Sequence, residues 1–195
     1  MRTMTMRLRH ALLALACALL VPALAHAQPV VYSGTLVSGA PATGSAGGFS
    51  WFLDQGAGVS FWQFSANAND KVTLRVDRLN GNFDPALSLY RGTTNANVSG
   101  FSNGANWGGL TFIASLDDEN PPFMTPGPDG DPFGTFTIAT SGVYTVAVGG
   151  SLSTDGGTYP FRITMTDVAA VPEPETAALL LVGLGAIAAL RRRRG

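Results

Sequence analysis

The residues of this 195-residue chain best placed to do chemistry are carboxylates. Asp117-Asp118-Glu119-Asn120 forms one acidic stretch, and Asp129-Gly130-Asp131 continues it. Calcium asks for several carboxylate and carbonyl oxygens at once, from a loop able to curl around it. Clustered acids with Gly and Asn meet that requirement in composition. Asp-x-Asp is also common in solvated acidic loops, the blander reading, and no full EF-hand spacing is present. Trp107 is the second candidate, between Asn106 and Gly108 in the Gly-, Asn- and Ser-rich stretch Gly92 to Gly109. Its flat face could stack on a sugar ring, or fold back as a lid on the core.

The missing residue types narrow the chemistry further. Cys17, His10 and His26 all lie in the first 27 residues, so the segment 28–170 holds no thiol and no imidazole. Disulfide staples, Ser-His-Asp and Cys-His catalysis, and zinc sites built on His or Cys are excluded there. A carboxylate pair or a Ser-Lys pair remains formally open. The only lysine, Lys71, follows Asn69-Asp70 and reads as a solvated turn residue. No catalytic residue is assigned, and the expectation is a protein that is not an enzyme. The same segment carries five basic residues (Lys71, Arg75, Arg78, Arg91 and Arg162) against eleven acidic ones, a net charge of minus six. Nucleic acid, which rewards clustered positive charge, is an unsuitable partner.

The elements that must position these groups read as strands. Val72, Leu74 and Val76 alternate with Thr73, Arg75 and Asp77; Phe161, Ile163 and Met165 alternate with Arg162 and Thr164. Tyr144, Val146 and Val148 form one face, and Phe136 and Ile138 alternate with Thr135 and Thr137. Weaker candidates are Val30 to Leu36, Phe49 to Leu53, Val59 to Ala66, Ala86 to Tyr90 and Leu110 to Leu116. Gly, Asn, Asp and Pro punctuate the gaps, and no stretch shows a capped helical stripe. The fold class expected is all-β: one β-sandwich of about eight or nine strands, jelly-roll or Greek-key like, over 28–170. Strand order is not legible.

Both ends read as addresses. Arg2, Arg7 and Arg9 precede the apolar run Ala11 to Leu24, and Ala25-His26-Ala27 offers small residues for cleavage, so residues 1–27 form a signal peptide and the mature chain starts at Gln28. Leu15-Ala16-Cys17 leaves a lipoprotein site as the alternative. At the other end, Pro172-Glu173-Pro174 precedes the uncharged stretch Ala177 to Leu190 and the cluster Arg191, Arg192, Arg193 and Arg194. As a helix that stretch would rise about 21 Å against a hydrocarbon core of about 30 Å, short for a permanent span. The arginines hold the cytoplasmic side.

The ordered triplet over 171–195 resembles the PEP-CTERM sorting signal of Gram-negative bacteria. The resemblance implies processing by signal peptidase and exosortase, transient insertion in the inner membrane, and display at the cell surface or in an extracellular matrix. The domain carries a second resemblance. Asn82-Phe83-Asp84-Pro85, Leu116-Asp117-Asp118, Ser141-Gly142-Val143-Tyr144 and Gly157-Thr158-Tyr159 occur in the order of the bacterial pre-peptidase C-terminal (PPC) domain. That family implies a β-sandwich accessory module, sometimes calcium-binding. Two roles are expected: a structural or adhesive component of an exopolysaccharide matrix or biofilm, or a carbohydrate-binding module using Trp107 and calcium near Asp84, Asp117, Asp118, Asp129 and Asp131.

Overall fold

The computed structural model describes residues 28–121, 125–127, 129–169 and 184. Nine strands make two sheets. They are β1 (Tyr32–Thr35), β2 (Ala42–Gly47), β3 (Ser60–Ala66), β4 (Lys71–Arg78), β5 (Pro85–Arg91), β6 (Thr111–Leu116), β7 (Phe133–Thr137), β8 (Gly142–Gly150) and β9 (Thr158–Val168). The five-stranded sheet runs β1-β3-β8-β5-β6 and the four-stranded sheet β2-β9-β4-β7. Every pairing is antiparallel except β1 with β3.

Period-two alternation builds the core, because successive side chains point to opposite faces of a strand. Val72, Leu74 and Val76 of β4 and Phe161, Ile163 and Met165 of β9 face Leu87, Leu89, Val146 and Val148 of the other sheet. Tyr144 stacks on Phe64 with ring centroids 5.4 Å apart, and Gly142 ahead of it takes φ 156°, where side chains are rarely tolerated.

One strand expectation is overturned, and one strand appears where none is expected. Phe49 to Leu53 is a turn, closed by Leu53 N–H to the Phe49 carbonyl and Asp54 N–H to the Trp51 carbonyl. Its Phe52 and Leu53 are more than half exposed. The strand in this region is β2 instead, made of Ala, Thr, Gly and Ser. A Cβ on Gly44 would lie 2.8 Å from the Phe161 ring and 2.9 Å from that of Trp62, so the strand is small because large rings already fill the space beneath it.

The stretch Gly92 to Gly109 covers the outer face of the five-stranded sheet. Val98, Phe101 and Trp107 pack there on Phe61, Tyr90 and Ala147 as a second buried cluster. Among the described residues no helix is long and apolar enough to cross a membrane. The cleavage residues Ala25 and Ala27, the sorting residues Pro172, Glu173, Pro174 and Arg191 to Arg194, and the C-terminal helix lie outside the described residues, apart from helical Leu184.

Candidate functional site

Strand register brings three of the five candidate carboxylates together. Leu87 pairs with Leu116 and Pro85 with Gly150, so Asp84, just before β5, comes level with Asp117-Asp118 after β6 and with Ser151 after β8. The ligand oxygens of Asp84, Asp117 and Asp118 all lie within 4.8 Å of one another. Asp84 is 2% exposed. Its Oδ2 accepts from Leu152 N–H at 2.8 Å, while Oδ1 is buried without a hydrogen bond. Asp117 repeats the pattern: Oδ2 accepts from the Ser151 hydroxyl at 3.1 Å, and Oδ1 is buried without a hydrogen bond. Asp118 is exposed and accepts from Gly130 N–H at 2.8 Å.

Burial pushes the Asp84 carboxyl up to about 6, with the nearby Asp118 and Asp129 charges adding to the rise. Burial likewise pushes Asp117 up to about 7, reinforced by Asp118. Carboxylates crowded this way are costly until a proton or a cation joins them. Oxygen-only donors suit a hard divalent ion such as calcium.

Asp129 and Asp131 serve elsewhere. Arg78, fully buried at the inward end of β4, donates from Nε to Asp131 Oδ1 at 2.7 Å and from a terminal nitrogen to the Asp129 carbonyl at 2.7 Å. The same nitrogen donates to the Gly130 carbonyl. Asp131 therefore compensates an interior cation, and Asp129 contributes its backbone to the same contact. Arg78 also lies 4.0 Å from Asp84 Oδ1. Sequence reading missed it as a site residue, although it continues the inward row Val72, Leu74, Val76, a place where a charge needs a partner.

Trp107 takes the lid position. It is 8% exposed, with its ring 6.0 Å from Phe61 and 5.7 Å from Phe101, so its faces are covered by the second cluster rather than offered to a sugar.

A different surface is open. On the outward face of the four-stranded sheet Thr73 lies level with Thr135 and Thr166, Arg75 with Phe133 and Thr164, and Asp77 with Arg162, itself level with Thr43. Asp77 is fully buried between the two arginines, at 2.5 Å from Arg75 and 2.8 Å from Arg162. One carboxylate bracing two guanidiniums leaves positive charge on a flat, hydroxyl-bearing surface, with Lys71 at its edge.

Residues 58–150 match the model of the bacterial pre-peptidase C-terminal domain, and residues 170–194 match that of the PEP-CTERM protein-sorting motif. No protein of curated function matches the chain in sequence. Among solved structures, the surface-associated copper-binding protein CorA of Methylomicrobium album BG8 superposes with a TM-score of 0.54 at 13% identity, covering 69% of this chain and 98% of that one. The copper-binding secreted protein MopE of Methylococcus capsulatus gives a TM-score of 0.48 at 11% identity, over 69% of this chain and 87% of that one. The pre-peptidase C-terminal domain of a Bacillus anthracis collagenase gives 0.40 at 12% identity, over 70% of this chain and 98% of that one. At such identities the likeness is one of fold, and only the first of the three scores carries weight. The sorting motif implies an exported, exosortase-processed surface protein. The chain thus ends in a segment that matches the PEP-CTERM protein-sorting motif, and the greater part of its sandwich is similar to the bacterial pre-peptidase C-terminal domain.

Proposed function

We propose that this protein is a structural, non-enzymatic component of the cell surface or extracellular matrix, whose sandwich contacts an acidic exopolysaccharide. The observation that supports this is the outward face of the four-stranded sheet. Three of the five basic residues of 28–170 (Lys71, Arg75 and Arg162) stand on it, in a segment of net charge minus six. Asp77 holds two of those guanidiniums in place, and fixed guanidinium forks match polymer carboxylates. Threonine hydroxyls beside them add hydrogen-bonding capacity, and Phe133, 36% exposed, adds an apolar contact. Catalysis is a weaker reading, since Asp84, the most buried member of the carboxylate cluster, is 2% exposed and out of a polymer's reach.

The acidic cluster favours a second reading, a calcium-assisted carbohydrate-binding module with Asp84, Asp117 and Asp118 as ligands. The copper binding named for CorA is not carried over to this chain, since a likeness at 13% identity is one of fold.

Co-sedimentation with a polyuronate such as alginate separates the readings. Under the first, the mature protein pellets with alginate but not with neutral dextran. The double variant Lys71→Gln, Arg162→Gln, which keeps the Arg75–Asp77 pair, weakens binding about tenfold, as losing charge-assisted contacts implies. Under the second, binding requires calcium and is lost in Asp84→Asn. Equal pelleting by wild type and both variants, with or without calcium, would contradict both.

A further inference from the structure

A cleft of about 270 Å³ opens between the sheets, lined by none of the residues assigned above to the basic face or to the acidic cluster. It arises where the sandwich is not sealed. β6 and β7 are each the last strand of their sheet, and the β5–β6 register shifts between Leu89 and Tyr90. Ala114 pairs with Leu89 and Phe112 with Tyr90, which makes Ile113 the extra residue of a bulge. A bulge bends an edge strand, and here Ile113 is left 42% exposed at the lip. Leu89, Ile138 and Tyr144, all at most 2% exposed, lie at the apolar floor, and Phe136 lines the opposite wall.

Arg91, the last residue of β5, is at the mouth. It is exposed, and among the described residues its side chain makes no hydrogen bond or ion pair. The lining includes no Asp or Glu, in a segment where acids outnumber bases eleven to five. An apolar recess gains free energy when apolar surface fills it, and a guanidinium at its rim selects an anionic head, best a carboxylate that its fork can hold with two bonds. A peptide or folded partner is too large for the volume.

We propose that this cleft binds a small amphiphile with a short apolar chain and a single carboxylate, the chain lying between Ile113 and Phe136 above the buried Leu89, Ile138 and Tyr144, and the carboxylate on Arg91. The site is separate from the polymer-contacting face and from the acidic cluster, so its failure would leave the proposed function untouched.

Octanoate is the probe, with octanol and octyltrimethylammonium as head-group controls. It is titrated into mature exported protein carrying labelled Leu and Ile methyls. The expected result is saturable shifts confined to Leu89, Ile113 and Ile138, and weaker or absent binding of both controls. Arg91→Gln should raise the Kd about tenfold with an unchanged melting curve, because the residue is exposed and unpaired among the described residues. Ile113→Trp, a change at a half-exposed lip that a fold tolerates, should block the cleft and abolish the shifts. The proposal is overturned if octanoate gives no saturable shift, if the shifts fall elsewhere, if octanol binds as tightly, or if Arg91→Gln binds like wild type.

Discussion

Replacing Arg78 by alanine is expected to cost about 3–5 kcal/mol of folding stability, the range for removing one partner of a buried ion pair. Against a total of about 5–15 kcal/mol for an ordinary domain, that is a drop in melting temperature on the order of 15 °C. The reason lies in what the guanidinium holds. Its side chain and that of Asp131 are both fully buried, joined at 2.7 Å, and the same guanidinium holds the Asp129 and Gly130 carbonyls against β4. Without it the interior keeps the Asp131 charge but loses the cation that compensates it, and the Asp84 carboxylate loses its nearest positive charge, 4.0 Å away. A Cβ on Gly127 would clash with an Arg78 terminal nitrogen, so the loop also leaves room for this side chain. Arg78→Met combined with Asp131→Leu should recover most of the loss, because replacing both partners removes the uncompensated charge. Urea melts of the three proteins decide it. An Arg78→Ala variant within 1 kcal/mol of wild type would refute the role assigned here.

The second large effect is a decline in stability as pH rises, opposite to the behaviour of a domain held by paired carboxylates. Asp84 and Asp117 have folded-state values of about 6 and about 7, above the ordinary 3.8. A carboxyl whose value rises on folding keeps its proton longer in the folded chain, so the folded state binds more protons between the two values. Stability is then highest below about pH 4 on account of these two groups, and it falls as pH climbs through 6 and 7. After allowance for solvent screening at Asp117 and for coupling within the cluster, the loss should be roughly 3 kcal/mol between pH 4 and pH 8. A divalent cation replaces those protons. Calcium at 10 mM should therefore raise the melting temperature by about 5 °C at pH 8, given the weak affinity usual for extracellular sites, and by much less at pH 5. Asp84→Asn should reduce the pH dependence to the part carried by Asp117 and abolish the calcium shift. Melting curves that ignore both pH and calcium would remove the cation site.

Strands β4, β8 and β9 were legible because one face of each is a row of large apolar residues and the register of a buried strand leaves no freedom. β2 was not, since its residues were chosen by the rings of Trp62 and Phe161 lying under Gly44, a contact more than a hundred positions distant in the chain for Phe161. Phe49 to Leu53 misled for the converse reason: apolar composition without burial. At the site, composition was enough to single out Asp117 and Asp118, and the ordered PPC-like pattern to add Asp84. It could not show that Asp131 answers Arg78 from 53 residues away, nor that the loop 92–109 turns Trp107 inward onto Phe61. Both facts are set by strand order, which local pattern does not carry. The basic face was hidden in the same way: Lys71, Arg75 and Arg162 look scattered until β4 and β9 pair.

Export of the chain as cargo with two removable addresses is tested most directly by mass spectrometry of the protein from culture fractions. The expected species comes from the surface or extracellular fraction, begins at Gln28, and lacks Arg191 to Arg194. Recovery of the intact 195-residue chain from the cytosol, as its principal form, would contradict it.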